Sequence, residues 1–196
     1  MIDLPPFVPL PIVLEGSRAR LEPLTEAHAA GLMAIGVPQS TWRFTSRPPF
    51  HDLQTAQWWI QDAQPNAVPF AVIDRASGVV AGSTRYFDIR PADRGLEIGY
   101  TWYGEAYQRT AINTECKFLL LHHAFEGLGA LRVQLCTDSR NLRSQAAIAR
   151  IGGVREGVLR SHMVMPDGYL RDTVVFSIVR SEWPEVEQRL LEKLSK

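Results

Sequence analysis

Between residues 68 and 102 apolar and polar side chains fall into short blocks. Between 110 and 127 the apolar ones recur every three or four positions. The first pattern predicts strands over 68–74, 79–88 and 94–102, the first two joined by a turn at Ala76-Ser77-Gly78. The second predicts the longest helix, with Ile112, Cys116, Leu119, Leu120 and Phe125 on its apolar face and Gly127 and Gly129 ending it. Upstream, Ala19 and Leu21 alternate with Arg18, Arg20 and Glu22, which predicts a strand over 12–24 that stops at Pro23. Thr25 caps a helix running to Ile35, with Glu26 in its first turn and Gly36 and Pro38 beyond it. The stretch 42–50 reads as a loop with aromatic anchors, and Asp52 caps a helix through Gln64 that ends before Pro65. Downstream come a strand over 131–137, a helix from Asn141 to Gly152-Gly153, and a hairpin of 154–165 with 169–179. The hairpin turns across Pro166-Asp167-Gly168, and a closing helix covers 181–194. This order predicts an α/β fold: a mixed sheet with helices on both faces.

Composition narrows the class. The 196 residues suit one domain, expected over 12–196, behind a proline-rich arm at 1–11. At 45% hydrophobic and 21% charged the chain is an ordinary globular one. With 21 basic against 21 acidic residues it carries no chain-wide field for nucleic acid. The first residues lack a basic n-region and a small-residue cleavage site, and no apolar run reaches bilayer length. The expectation is a cytoplasmic protein that binds neither nucleic acid nor membrane. The two cysteines, Cys116 and Cys136, form no CxxC pair and read as reduced core thiols. His122-His123 on the long helix point in different directions and suggest no metal site.

Two stretches carry chemistry. One is Leu96-Glu97-Ile98-Gly99-Tyr100-Thr101-Trp102 followed by Tyr107-Gln108-Arg109-Thr110-Ala111-Ile112-Asn113-Thr114-Glu115. The other is Asp138-Ser139-Arg140-Asn141-Leu142-Arg143-Ser144-Gln145-Ala146-Ala147-Ile148. Together with Glu156-Gly157-Val158-Leu159-Arg160 and Ser181-Glu182-Trp183, they resemble the GCN5-related N-acetyltransferases, and within them the RimJ/RimL-like branch. The resemblance implies a sheet of about seven strands splayed in its middle. It implies acetyl-CoA as co-substrate, and transfer of acetyl to a primary amine by direct attack in a ternary complex. The acceptor would be a protein N-terminus or a small-molecule amine, and a homodimer is compatible with the branch.

The physical need is a grip on a pyrophosphate, which free amides at a helix N-terminus supply. By resemblance that grip is Gln108, Arg109, Thr110, Ala111, Ile112 and Asn113, with Gly99, Tyr100 and Thr101 along the pantetheine and acetyl groups. Ala111 and Asn113 stand where the family usually has glycine or another small residue, and Arg109 stands where a glycine is common. An ordinary helix start is the other reading of this loop. Glu97 is the candidate base, or else a rim carboxylate paired with Arg85 or Arg94. Asn141 is expected on the pantetheine arm and Ser144 near the sulfur as proton donor, although both are also ordinary helix-start residues. A non-catalytic acyl-CoA sensor on the same fold is the alternative function, and a nucleotide- or phosphate-binding protein a weaker one.

Overall fold

The computed structural model describes residues 6–35, 39–63 and 66–195. Its strands are Leu14–Glu15 (β1), Ala19–Pro23 (β2), Val68–Asp74 (β3), Val80–Arg90 (β4), Gly95–Tyr103 (β5), Arg132–Asp138 (β6), Val154–Val164 (β7) and Leu170–Val179 (β8). The helices are Ala29–Ala34 (α1), Gln39–Trp42 (α2), Leu53–Asp62 (α3), Ala111–His122 (α4), Leu142–Arg150 (α5) and Trp183–Leu194 (α6). The strands form one eight-stranded sheet in the order β1-β2-β3-β4-β5-β6-β8-β7. All neighbours are antiparallel except β5 and β6, which run parallel because α4 carries the chain back between them.

That parallel pair is short. Only Gly95, Leu96 and Glu97 face Arg132, Val133 and Gln134. Beyond them β5 follows β4 as far as Tyr103 opposite Gly82, and β6 follows β8 as far as Asp138 opposite Thr173. The sheet therefore parts between residues 98–103 and 135–138. Gly82 permits the close β4–β5 contact, since a Cβ there would stand 2.1 Å from the Trp102 carbonyl oxygen.

Each face of the sheet has its own core. Ile112, Cys116, Leu120 and Phe125 pack with Trp183, Val186 and Leu190 of α6 over Leu96, Ile98, Val133 and Leu135. Phe125 stacks on Trp183 at 5.1 Å. On the opposite face Trp42, Phe50, Trp59 and Trp102 form a ring cluster with centroids 5.4 to 6.4 Å apart. Asp52 caps α3 as expected, its Oδ1 accepting the Thr55 amide at 2.7 Å. The Pro166-Asp167-Gly168 turn also forms, with Gly168 at φ 81. Gly36, Pro38, Gln64 and Pro65 lie outside the described residues.

Three elements differ from expectation. The strand expected over 12–24 is two strands, because the chain turns at Gly16 onto the carboxylate of Glu115. That carboxylate accepts from the Ser17 amide (3.0 Å) and hydroxyl (2.7 Å), the Arg18 amide (2.7 Å) and the Ala19 amide (2.6 Å). A Cβ on Gly16 would stand 2.5 Å from Glu115 Cδ, so glycine is what lets the turn come so near. The loop expected over 42–50 is preceded by α2, which delivers Trp42 to the ring cluster. The long helix stays α-helical only to His122 and widens into a π turn over His123–Gly127. There the Tyr86 hydroxyl donates to the Leu120 carbonyl at 2.6 Å and competes for an acceptor of the helical ladder.

Glu115 is 3% exposed and holds main-chain donors that no other described side chain reaches. Glu115→Ala is expected to destabilise the protein by roughly 3 kcal/mol, because buried donors would lose a charged acceptor. Urea unfolding measures the loss, and hydrogen exchange at Ser17–Ala19 should show the turn opening. Unchanged exchange there would contradict this account.

Candidate active site

The parted strands make a cleft, and α4 begins at its mouth. Thr110 is the N-cap: its Oγ1 accepts the Ile112 amide at 3.3 Å and donates to the Tyr107 carbonyl at 2.8 Å. Arg109 before it has φ 62, so the left-handed residue of the loop is Arg109, and Ala111 opens the helix as its first residue. Among the described residues, the amides of Arg109, Thr110 and Ala111 have no protein acceptor. They stand at the positive end of the α4 dipole, beside the exposed side chains of Arg109 and Arg143. Asn113, half-buried, lies in the first turn. Next to this helix start is a cavity of about 550 Å³ lined by Ser17, Arg18, Asp74, Arg75, Thr110, Ala111 and Ile112 among others.

Gln108 joins the two walls of the cleft. Its Nε2 donates to the Tyr103 carbonyl at 3.1 Å, at the end of β5, and its Oε1 accepts from Arg143 on α5 at 3.0 Å. Asn141 is the N-cap of α5, its Oδ1 accepting the Ser144 amide at 3.0 Å. The helix-start role of Asn141 is therefore real, and its side-chain NH₂ is not needed for it. Ser144 is half-buried in the same turn. The turn before α5 is fixed by Asp138, which accepts from the Arg140 amide at 2.8 Å and from its guanidinium at 3.0 and 2.7 Å. Burial opposes ionisation of Asp138, but these bonds outweigh it and hold the carboxyl below its usual range.

Glu97 stands where the strands separate. Leu96 and Ile98 face the α4 core, so Glu97 points to the other face, as do Gln134 and Cys136 of β6. It is 8% exposed and accepts from Gln134 Nε2 at 2.9 Å. Burial raises its carboxyl above the ordinary range, against the pull of Gln134, Cys136 and the more distant Arg171 and Arg90. Burial and the neighbouring Glu97 push the Cys136 thiol up to about 12, which leaves it without nucleophilic character at neutral pH. The arginines considered as partners for Glu97 are engaged elsewhere: Arg85 over the Tyr100 ring, Arg94 on the carbonyls of Leu128 and Gly129.

Gly99, Tyr100 and Thr101 follow on the free edge of β5. A Cβ on Gly99 would meet Phe87 at 2.7 Å, and Tyr100 has φ 49, so the strand bulges at the cleft. The Thr101 hydroxyl lies 2.8 Å from that of Thr84 and accepts from Lys117 Nζ at 2.7 Å. Burial lowers Lys117 to about 8. Lys117 and Gln134 were missed by sequence reasoning. A lysine next to Cys116 on an otherwise apolar helix face was a usable signal for Lys117, whereas nothing local marked Gln134.

A family model described as an acetyltransferase (GNAT) domain matches residues 18–154. The chain is similar to a GCN5-related N-acetyltransferase from Brucella melitensis known from its crystal structure. The two are 32% identical with a TM-score of 0.91, over 98% of this chain and 90% of that one. It is 27% identical over 147 residues, 72% of this chain and 78% of the other, to YdaF of Bacillus subtilis (strain 168), provisionally named a ribosomal N-acetyltransferase. At the level of fold alone it is similar to Mycobacterium smegmatis RimJ, solved in complex with CoA-disulfide. That match has a TM-score of 0.81 and 20% identity over 93% of this chain and 95% of that one. The family model covers most of the chain and both walls of the cleft, and the chain belongs to the GNAT acetyltransferase family.

Proposed function

We propose that this acetyltransferase moves acetyl from acetyl-CoA to a primary amine, a protein N-terminus or a small-molecule amine, by direct attack in a ternary complex. The observation that carries the reading is the row of protein-free amides at the start of α4, opening onto strands that part beside a buried carboxyl. The residues present fit the co-substrate: amides and two arginines for a pyrophosphate, and an unpaired strand edge for an amide-bearing arm.

Acetyl-CoA supplies an activated acyl group on a thiolate leaving group. The amides of Arg109, Thr110 and Ala111 hold the pyrophosphate, with Gln108, Ile112 and Asn113 shaping the loop. The free edge over Gly99, Tyr100 and Thr101 aligns the pantetheine arm and donates to the thioester oxygen. Glu97, whose burial raises its proton affinity, takes the amine proton directly or through water. Asn141 steadies the arm through its free amide group, and the Ser144 hydroxyl donates to the departing sulfur.

Ala111 is the first residue of α4 and follows Thr110 at φ −102, ψ 174, a conformation that a following proline accepts. Ala111→Pro therefore deletes one phosphate-facing N–H while leaving the helix intact. Stability should stay within about 0.5 kcal/mol of the parent, and CoA affinity should fall about tenfold or more, the worth of one charge-assisted hydrogen bond. Calorimetric titration with CoA measures it, and an unchanged dissociation constant would remove the grip from the proposal. In the parent, acetyl-CoA at a hundred times its dissociation constant should stabilise the fold by about 2.7 kcal/mol, and thiol should be released only when an amine is added.

Glu97→Gln should cost about a hundredfold in kcat/KM. Its stability should change the other way. With its proton affinity raised in the folded state, Glu97 favours folding when protonated, and that advantage is lost as pH rises from 4.5 through the raised folded value. The glutamine variant lacks this loss, so it should be the more stable protein at neutral pH, with the gap closing as pH falls through the raised folded value toward 4.5. Thermal melts across that range decide the matter; a parent more stable than the variant at pH 7 would contradict it.

A further inference from the structure

We infer that the guanidinium groups of Arg47 and Arg85 form a subsite for a carboxylate carried by the acceptor alongside its amine; the inference rests on the transferase reading above. Both arginines are 8% exposed, on the face of the sheet that also bears Glu97. Arg85 lies on β4 opposite Gly99, and Phe87, two residues along, lies opposite Glu97, so Arg85 and Glu97 share a face one pair apart. Along the strands that separation is about 7 Å, a span of a few covalent bonds.

The groups around the pair do not balance its charge. Arg47 Nη2 donates to the Trp59 carbonyl at 2.8 Å and to Asp62, and its guanidinium sits 4.6 Å from the Trp59 ring. Arg85 Nη1 donates to the Ala63 carbonyl at 3.3 Å, and its guanidinium stacks 3.4 Å from the Tyr100 ring centre. Asp62, half exposed, is the one carboxylate that acts on both arginines among the described residues. Nε and Nη1 of Arg47 and Nε of Arg85 have neither a protein partner nor solvent. Burying a second guanidinium with open donors is costly unless an anion joins it, and a planar carboxylate matches the fork of donors that guanidinium offers. Burial, with a smaller contribution from the charge of Arg47, pulls Arg85 down to about 10, so it stays cationic at neutral pH.

Tyr100 ties this subsite to the chemistry. Its ring carries Arg85 on one side and meets Phe87 edge-on at 5.0 Å, and its main chain forms the bulge on the free edge of β5. An acceptor whose carboxylate engages Arg85 and Arg47 would be held with its amine toward Glu97.

The test is acetyl-CoA-dependent thiol release with acceptors matched in size and differing in charge. One arm compares glutamate with its diamide; the other compares C-terminally amidated tetrapeptides that begin with Glu or Gln. The arms separate a free amino acid from an acidic peptide N-terminus as the source of the carboxylate. In the parent, kcat/KM for the acidic member of at least one arm should exceed that of its amide by about tenfold or more, mainly through KM. In Arg47→Met and in Arg85→Met that ratio should approach one, and Arg85→Lys should restore part of it. Because the ratio is read within one preparation, partial unfolding of a variant cancels. A parent that favours the amides, a preference that survives in both methionine variants, or no turnover of any panel member while acetyl-CoA still binds would each overturn the subsite. Failure of acetyl-CoA to bind would instead overturn the transferase reading beneath it.

Discussion

The structure depends on a competition between strand partners. β5 and β6 meet for only three residue pairs, because each is committed to an antiparallel neighbour on its other side. Antiparallel ladders are the stronger partners, and the parallel seam yields where the two halves of the sheet twist apart. What opens is a slot with a main-chain edge on one side and polar side chains on the other. Glu97 and Gln134, the last residues to pair, mark its inner end, and their side-chain hydrogen bond continues the contact that the backbones give up.

α4 sets the position of the slot's mouth, and its polar residues divide the labour. Glu115 anchors the helix to the β1–β2 turn through main-chain donors, fixing how far α4 slides along the sheet. Lys117 reaches the other way, to Thr101 on the bulged strand. The helix start is thus held between two sites a turn or less apart, and its free amides are aimed by those contacts. Two buried charged groups in one helix are expensive, and here each is met by specific partners.

Much of this was legible in the sequence because it is local. The Asp52 cap, the Pro166-Asp167-Gly168 turn and the alternation that sends Leu96 and Ile98 one way and Glu97 the other need only neighbouring residues to be understood. The splay and the loop that opens α4 were legible through resemblance, since nothing in the composition of β5 or β6 says that they part. What escaped notice depends on distant partners. The break at Gly16 is caused by a carboxylate nearly a hundred positions away, and the burial of Arg47 and Arg85 by the packing of α3 against β4. Of the three positions where the family commonly has glycine or another small residue, only Arg109 takes the left-handed conformation, while Ala111 and Asn113 are helical.

The π turn at the end of α4 sets a limit on how this chain can vary. A π turn contains one residue more than the α turn it replaces, so every later side chain is rotated by about 100°. That rotation directs Phe125 onto Trp183. The segment joining the two parallel strands is therefore locked in length: losing a residue between His123 and Gly127 would regularise the helix and swing its aromatic anchor off α6.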